Sequence, residues 1–239
     1  MKSQTQTAMA ALCLLTAAVF SQNIVASGLQ VAPVSLTLQS IQNADGIWLM
    51  NQGEDTINAQ VRVYRWNQQS FEDQLNSSQN LVISPPMLKL APGEKQLIRV
   101  IHMGPASNTV EEAYRLSINE LPPPELQKNK IQFVLHYSVP VFIQPKGTSD
   151  HSAKLQWGIQ RIGDEAFLEV SNQGNSHAQL SAASYINTQG RKKEITQGLL
   201  GYVLPGATMR WKLPFTAADT APGSKLEVTI NGQKKVQEL

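Results

Sequence analysis

The chain has 239 residues, a formal net charge of +2, and 16% charged against 41% hydrophobic residues. That length suits two domains of ~100 residues; the near-balanced charge offers no basic stripe for nucleic acid, and the apolar content argues against a disordered chain. A single Cys excludes a disulfide scaffold or a Cys-rich zinc site.

The four His residues, His102, His136, His151 and His177, show neither HxxxH nor HxH spacing. The nucleophile-elbow, P-loop and dinucleotide fingerprints are all missing. No enzyme activity, metal, cofactor or small-molecule substrate is therefore expected.

The N-terminus reads as an export signal. Lys2 supplies positive charge, and Met9 to Phe20 is a run of twelve apolar or small residues. A bilayer span needs ~20. Small residues follow at Ala26-Ser27-Gly28, so residues 1–26 read as a signal peptide cut after Ala26 or Ser27. Cys13 lies in the middle of the apolar run, and Ala10-Ala11-Leu12 is a poor lipobox. Cleavage removes the only Cys, and no later apolar run reaches 18 residues, so a soluble exported product is expected.

The remaining chain reads as strands, taken in order: Val31–Leu38, Ile47–Met50, Ala59–Trp66, Gln96–Ile101, Tyr114–Leu121 and Ile131–Ile143. After these come Leu155–Ile162, Ala166–Ser171, Ala178–Ile186, Thr208–Leu213 and Lys225–Ile230. Turn pairs punctuate them, among them Asp45-Gly46, Pro92-Gly93, Pro205-Gly206 and Asn231-Gly232. In Ala59–Trp66 the alternation slips at Tyr64-Arg65, which predicts a bulge. Arg191-Lys192-Lys193 reads as a solvated turn, and Trp66 and Tyr64 as core. Many short strands and no helical periodicity indicate β-sandwiches.

An internal echo supports two domains. Asn51-Gln52-Gly53 ends a strand in the first half and Asn172-Gln173-Gly174 ends one in the second. Leu90-Ala91-Pro92-Gly93 and Leu204-Pro205-Gly206 then open strands holding Arg99 and Arg210. Similar domains or coincidental turn chemistry both fit. The Pro145-Lys146-Gly147-Thr148-Ser149 stretch marks the boundary, giving domains at 27–146 and 147–239.

Ile131–Ile143 is the most informative segment. Its odd positions, from Ile131, Phe133, Leu135 and Tyr137 to Ile143, are all apolar. Thirteen residues span ~43 Å, well above an ordinary strand. Pro140 cannot donate to a ladder and points to an edge. A long edge with one apolar face invites aggregation unless a partner covers it. Two readings follow: pairing with a partner chain, or an ordinary core strand.

Three stretches resemble the periplasmic pilus-assembly chaperones of the chaperone–usher pathway. They are Ser84–Val100 (SPPMLKLAPGEKQLIRV), Tyr114–Pro123 (YRLSINELPP) and the Ile131–Pro145 strand. Val61–Gln68 (VRVYRWNQ) is similar to the archaic branch. The resemblance implies an all-β fold of two immunoglobulin-like β-sandwich domains at an angle, with a cleft between them. It also implies donor-strand complementation: the first domain's last strand covers an incomplete pilus subunit until an outer-membrane usher takes it. Ile131, Phe133, Leu135 and Tyr137 align with the inserted side chains. The implied partners are pilus subunits and the usher, and the implied location is the periplasm.

Classical members of that family hold the subunit's terminal carboxylate with an Arg in the first strand and a Lys in the long one. The aligned positions here are about Pro33 or Val34, and Pro140, which cannot pair with a carboxylate. Arg115 and Arg99 are the substitute anchors, since a guanidinium binds a carboxylate bidentately. The alternative for Arg115 is a structural pair with Glu112 or Glu120. Glu120, ahead of a proline run, reads as an edge cap or a bridge between domains. An exported fimbrial subunit or adhesin is the alternative function, but such a subunit would carry its alternating segment ahead of the sandwich.

Overall fold

The computed structural model describes residues 28–122, 133–147 and 150–239; the signal segment 1–26 and Ile131 lie outside them. Ten strands come first: β1 (Leu29–Ala32), β2 (Leu36–Leu38), β3 (Ala44–Asn51), β4 (Ile57–Gln69), β5 (Glu72–Ser77), β6 (Leu81–Ser84), β7 (Met87–Leu90), β8 (Lys95–His102), β9 (Glu112–Leu121) and β10 (His136–Ile143). Seven more follow: β11 (Leu155–Ile162), β12 (Glu165–Asn172), β13 (Ala178–Ile186), β14 (Lys192–Val203), β15 (Thr208–Thr216), β16 (Lys225–Ile230) and β17 (Gln233–Glu238).

The first ten strands make two sheets. One runs β1-β3-β8-β6; the other runs β2-β10-β9-β4-β5, with β7 beside β5 along the same edge of β4. Alternating side chains face each other between the two sheets, so Ile47, Leu49, Ile98 and Val100 meet Leu116, Ile118, Val139 and Val141 in one core. The later strands form β11-β12-β15 and β14-β13-β16-β17 around a second core. Trp66, Ala113 and Phe142 belong to the first sandwich by strand but pack into that second core, so the two halves join through apolar contact.

The internal echo is structural. Asn51 Nδ2 donates to Asp55 O (2.8 Å) and Leu90 O (3.0 Å). Asn172 Nδ2 donates to Ser176 O (2.8 Å) and Val203 O (3.0 Å). In both corners the side-chain oxygen accepts the N–H of the glycine two residues on, at 2.9 Å. A buried amide with all of its bonds made fixes a turn that backbone ladders leave open.

Several sequence expectations are corrected. The expected first strand divides at Pro33 because β1 joins β3 while β2 crosses to β10. Asp45-Gly46 lies inside β3, where a Cβ on Gly46 would stand 2.6 Å from Leu97 Cδ1. No bulge occurs at Tyr64-Arg65: β4 pairs β9 in unbroken register from Asn58 to Arg65. Arg65 keeps that register on the inner face because Glu112 neutralises it (2.6 Å). Lys192 and Lys193 open β14 and pair with Glu227 and Asp219. Unforeseen β5 and β17 are exposed edge strands, held by ladders with no apolar alternation to betray them.

Candidate functional site

β10 pairs β9 antiparallel along its whole length, from His136 opposite Asn119 to Ile143 opposite Glu112. On its other side it meets β2 only through Val141, Phe142 and Ile143. The strand is thus interior at its end and an edge up to Pro140, the change falling where proline removes an N–H. Before His136 the chain stays beside β9: Glu120 N donates to Leu135 O (2.9 Å), and Leu135 N donates to Glu120 Oε2 (3.1 Å). Glu120 therefore caps this edge.

The alternating side chains grade from core to solvent. Val139, Val141 and Ile143 are fully in the core; Leu135 and Tyr137 pack partly against it; Phe133 is 73% exposed. The Tyr137 hydroxyl donates to Leu29 O (2.6 Å) and ties the open stretch to β1. Leu135 and Phe133 are left at the rim, where no strand among the described residues covers them.

The opposite face of this sheet carries Tyr64, Arg115 and Pro140 in one row, because each is the register partner of the next. Arg115 lies 3.7 Å over the Trp66 ring and 5.1 Å from the Tyr202 ring of β14. Its Nη1 reaches Ser138 O on β10 at 3.4 Å. Among the described residues it forms no ion pair. Glu112, one expected partner, is held by Arg65 and by the Tyr114 hydroxyl (2.7 Å); Glu120, the other, is held by Leu135 N. Asp73 attracts Arg115 through space, but its carboxylate takes the Gln68 amide (2.9 Å). Burial lowers the Arg115 pKa from the usual guanidinium value, yet a guanidinium stays charged at any physiological pH. The result is a partly desolvated cation, stacked on aromatic rings, that makes no ion pair among the described residues and feels Asp73 only through space.

Arg99 is elsewhere. It sits on the exposed face of β8 in the other sheet, opposite Gly46 and Ser84, and is not brought together with Arg115 or β10.

Trp66 is both core, at 1% exposed, and the platform under Arg115. Its contact with Tyr202 (5.3 Å, edge-on) was not foreseen, since the two lie in different halves of the chain. Phe142 stacks on His177 at 3.6 Å. His177 Nδ1 in turn meets Glu111 Oε1 at 2.7 Å, and the same oxygen accepts His177 N. Both contacts cross from the first sandwich to the second beside Arg115.

Among the described residues, β10 is thus paired on one side only along half its length, and beside that half lies a cation that forms no ion pair. Residues 28–149, a little over half of the chain, match the family described as pili and flagellar-assembly chaperone, PapD N-terminal domain.

The chain belongs to this family.

This pilus-assembly chaperone is 26% identical to a chain in the crystal structure of CsuC–CsuE, a chaperone–tip adhesion subunit pre-assembly complex from the archaic Csu pili of Acinetobacter baumannii. That match has a TM-score of 0.70 and covers 88% of this chain and 97% of the other. It agrees with the archaic character of Val61–Gln68. The SafB chaperone structure with SafA pilin from Salmonella enterica matches at 16% identity and TM-score 0.63, covering 90% and 97%. The E. coli chaperone DraB matches at 17% and 0.61, covering 89% and 96%. These two share the fold, two β-sandwiches in one chain. No curated protein sequence matches.

Proposed function

We propose that this chaperone acts in the periplasm after loss of residues 1–26, as domains 27–146 and 147–239. It captures an incomplete pilus subunit by lending it the open edge of β10, then delivers it to an outer-membrane usher. The observation that carries this reading is the single-sided pairing of β10 up to Pro140, combined with apolar side chains that become more exposed toward Phe133. A subunit strand laid along that edge meets Phe133, Leu135 and Tyr137, with Ile131 continuing the series outside the described residues. Each apolar side chain buried there contributes ~1.5–3 kcal/mol before ordering costs.

Arg115 anchors the subunit's terminal carboxylate. It is one strand from the lent edge, touches Ser138 of that edge and forms no ion pair of its own among the described residues. Stacking on Trp66 holds the guanidinium plane in place, which lowers the entropy lost on forming a bidentate pair.

Co-expression of the tagged protein with subunits encoded beside it tests the reading. Soluble subunit should co-purify with wild type and not with a Phe133→Ser, Leu135→Ser double variant, which should itself remain folded. A double variant that still recovers subunit at wild-type yield rules out the lent edge.

A further inference from the structure

The turn joining β4 to β5 is built from residues that do not suit it. Ser70 and Phe71 have φ of +54° and +67°, two consecutive left-handed residues between paired Gln69 and Glu72. Such two-residue turns favour Asn-Gly, because side chains other than Asn, Asp and Gly are strained there. Hairpin closure alone gives no reason for a phenylalanine, and backbone strain of this kind persists only where the surroundings hold it.

What holds it lies across the junction. Arg210 of β15 places its guanidinium 3.9 Å over the Phe71 ring, and Glu169 fixes that guanidinium through Nε (3.1 Å) and Nη2 (2.6 Å). One turn back along the hairpin, Gln68 donates to Tyr202 O (2.9 Å) and accepts from Leu204 N (2.8 Å). The hairpin tip therefore grips the second sandwich at β14 and β15.

The other grip, Glu111–His177 with Phe142 on the imidazole, is on the β9–β10 side of the sheet. In the order β10-β9-β4-β5, Phe142 on β10 stands two to three strand spacings, ~10–14 Å, from Gln68 on β4 and the β4–β5 tip. Trp66, Ala113 and Phe142 join the two sandwiches near the middle of the sheet; a grip on either side of that contact limits rocking about it and fixes the angle. Arg115 and Trp66, on β9 and β4, lie between them, and Tyr202 closes over both.

We propose that the β4–β5 hairpin tip is a strut. Phe71, stacked under Arg210, sets the angle of the second sandwich on the first, and with it the position of Tyr202 over Arg115. Phe71 is thus a positioning residue for subunit capture, an inference whose functional half rests on the capture reading above.

The test compares full-length mature wild type with Phe71→Gly, Phe71→Tyr and Arg210→Gln. Residual dipolar couplings of the free proteins report the relative orientation of the two sandwiches, and subunit affinity is measured alongside. Glycine suits the left-handed position, so Phe71→Gly should melt no lower than wild type. Its two sandwiches should nevertheless stop sharing one alignment tensor, and capture should weaken about threefold to tenfold. Phe71→Tyr keeps the ring and should restore both. Arg210→Gln removes the cation while leaving the turn intact, and should reproduce the change in orientation. Wild-type orientation in both Phe71→Gly and Arg210→Gln overturns the strut. A wild-type protein that captures no subunit sinks the capture reading alone, because the orientation measurement needs no subunit.

Discussion

The two halves of β10 share one alternation and differ in their neighbours. From Val141 to Ile143 the strand has β9 on one side and β2 on the other, and its side chains are in the core. From His136 to Pro140 it has β9 alone among the described strands, and the apolar series continues outward through Leu135 to Phe133, which is mostly exposed. The same residue types thus serve folding at one end and are free for a partner at the other. What separates them is β2, a three-residue strand that covers the edge only as far as Val141.

Mutation should separate the two halves most sharply. Ile143 is 1% exposed, and Ile143→Ala should cost about 2–5 kcal/mol of stability through lost transfer energy and a cavity. Phe133→Ala should change stability by less than about 0.5 kcal/mol, since its ring is largely in water already. Denaturant titration of the free proteins reads this difference. Equal losses at both positions would mean that the open half belongs to the protein's own core.

A second contrast lies across the sheet from the first. Arg65 faces inward beside Tyr114 and has Glu112; Arg115, the next residue along β9 from Tyr114, faces outward and forms no ion pair among the described residues. Removing an anchor of this kind should cost about 1.5–3 kcal/mol of binding, so Arg115→Ala should weaken subunit capture about tenfold to a hundredfold. Arg115→Lys should recover part of that, lacking the bidentate fork. Amidating the subunit's terminal carboxylate should erase most of the difference between wild type and Arg115→Ala. A thermal melt of each free variant accompanies the measurement, and a variant that binds as tightly as wild type would leave Arg115 a purely structural residue.

These contrasts were legible in the sequence to different depths. The apolar series through Phe133 and Leu135 is periodic, and period is a local property, so the alternation could be read directly, while a partner-facing edge and an ordinary core strand both fitted it. The point where the edge closes could not, because it depends on β2 pairing with residues about a hundred positions away. Local alternation placed Arg115 on a strand, and the family resemblance put that strand beside the long one. Its surroundings were hidden: the Trp66 and Tyr202 rings, and the lack of an ion pair among the described residues, come from packing between distant strands. Arg99 shows the limit of reading a cation from strand context alone, since β8 and β9 lie in different sheets. The strained Ser70-Phe71 turn left no mark because hairpin signals are sought as Gly and Asn.

The smallest expected effect distinguishes the neutralised Arg65 from the unneutralised Arg115 by titration. Burial raises the Glu112 carboxyl, but the hydrogen bond from the Tyr114 hydroxyl and the Arg65 guanidinium outweigh it and hold its pKa below the usual value. Burial and the bond to Glu112 push the Tyr114 hydroxyl up to about 12. A carboxyl with a depressed folded pKa contributes its stability above its unfolded pKa, ~4.3, and loses it as pH falls through the folded value. A phenol with a raised folded pKa contributes fully below its unfolded pKa, ~10, and loses that contribution as pH rises toward about 12. Tyr114→Phe should therefore cost about 1–2 kcal/mol at neutral pH, and its gap from wild type should narrow between about pH 10 and 12. Glu112→Gln should show the mirror behaviour, its gap closing in acid below the ordinary carboxylate range. Arg115→Ala should leave both limbs of the stability profile in place, because Arg65 and not Arg115 acts on Glu112 and Tyr114, and Arg115 forms no ion pair among the described residues. Denaturant unfolding across pH measures all three. Loss of the acid limb in Arg115→Ala would show that Arg115, and not Arg65 alone, holds Glu112 ionised.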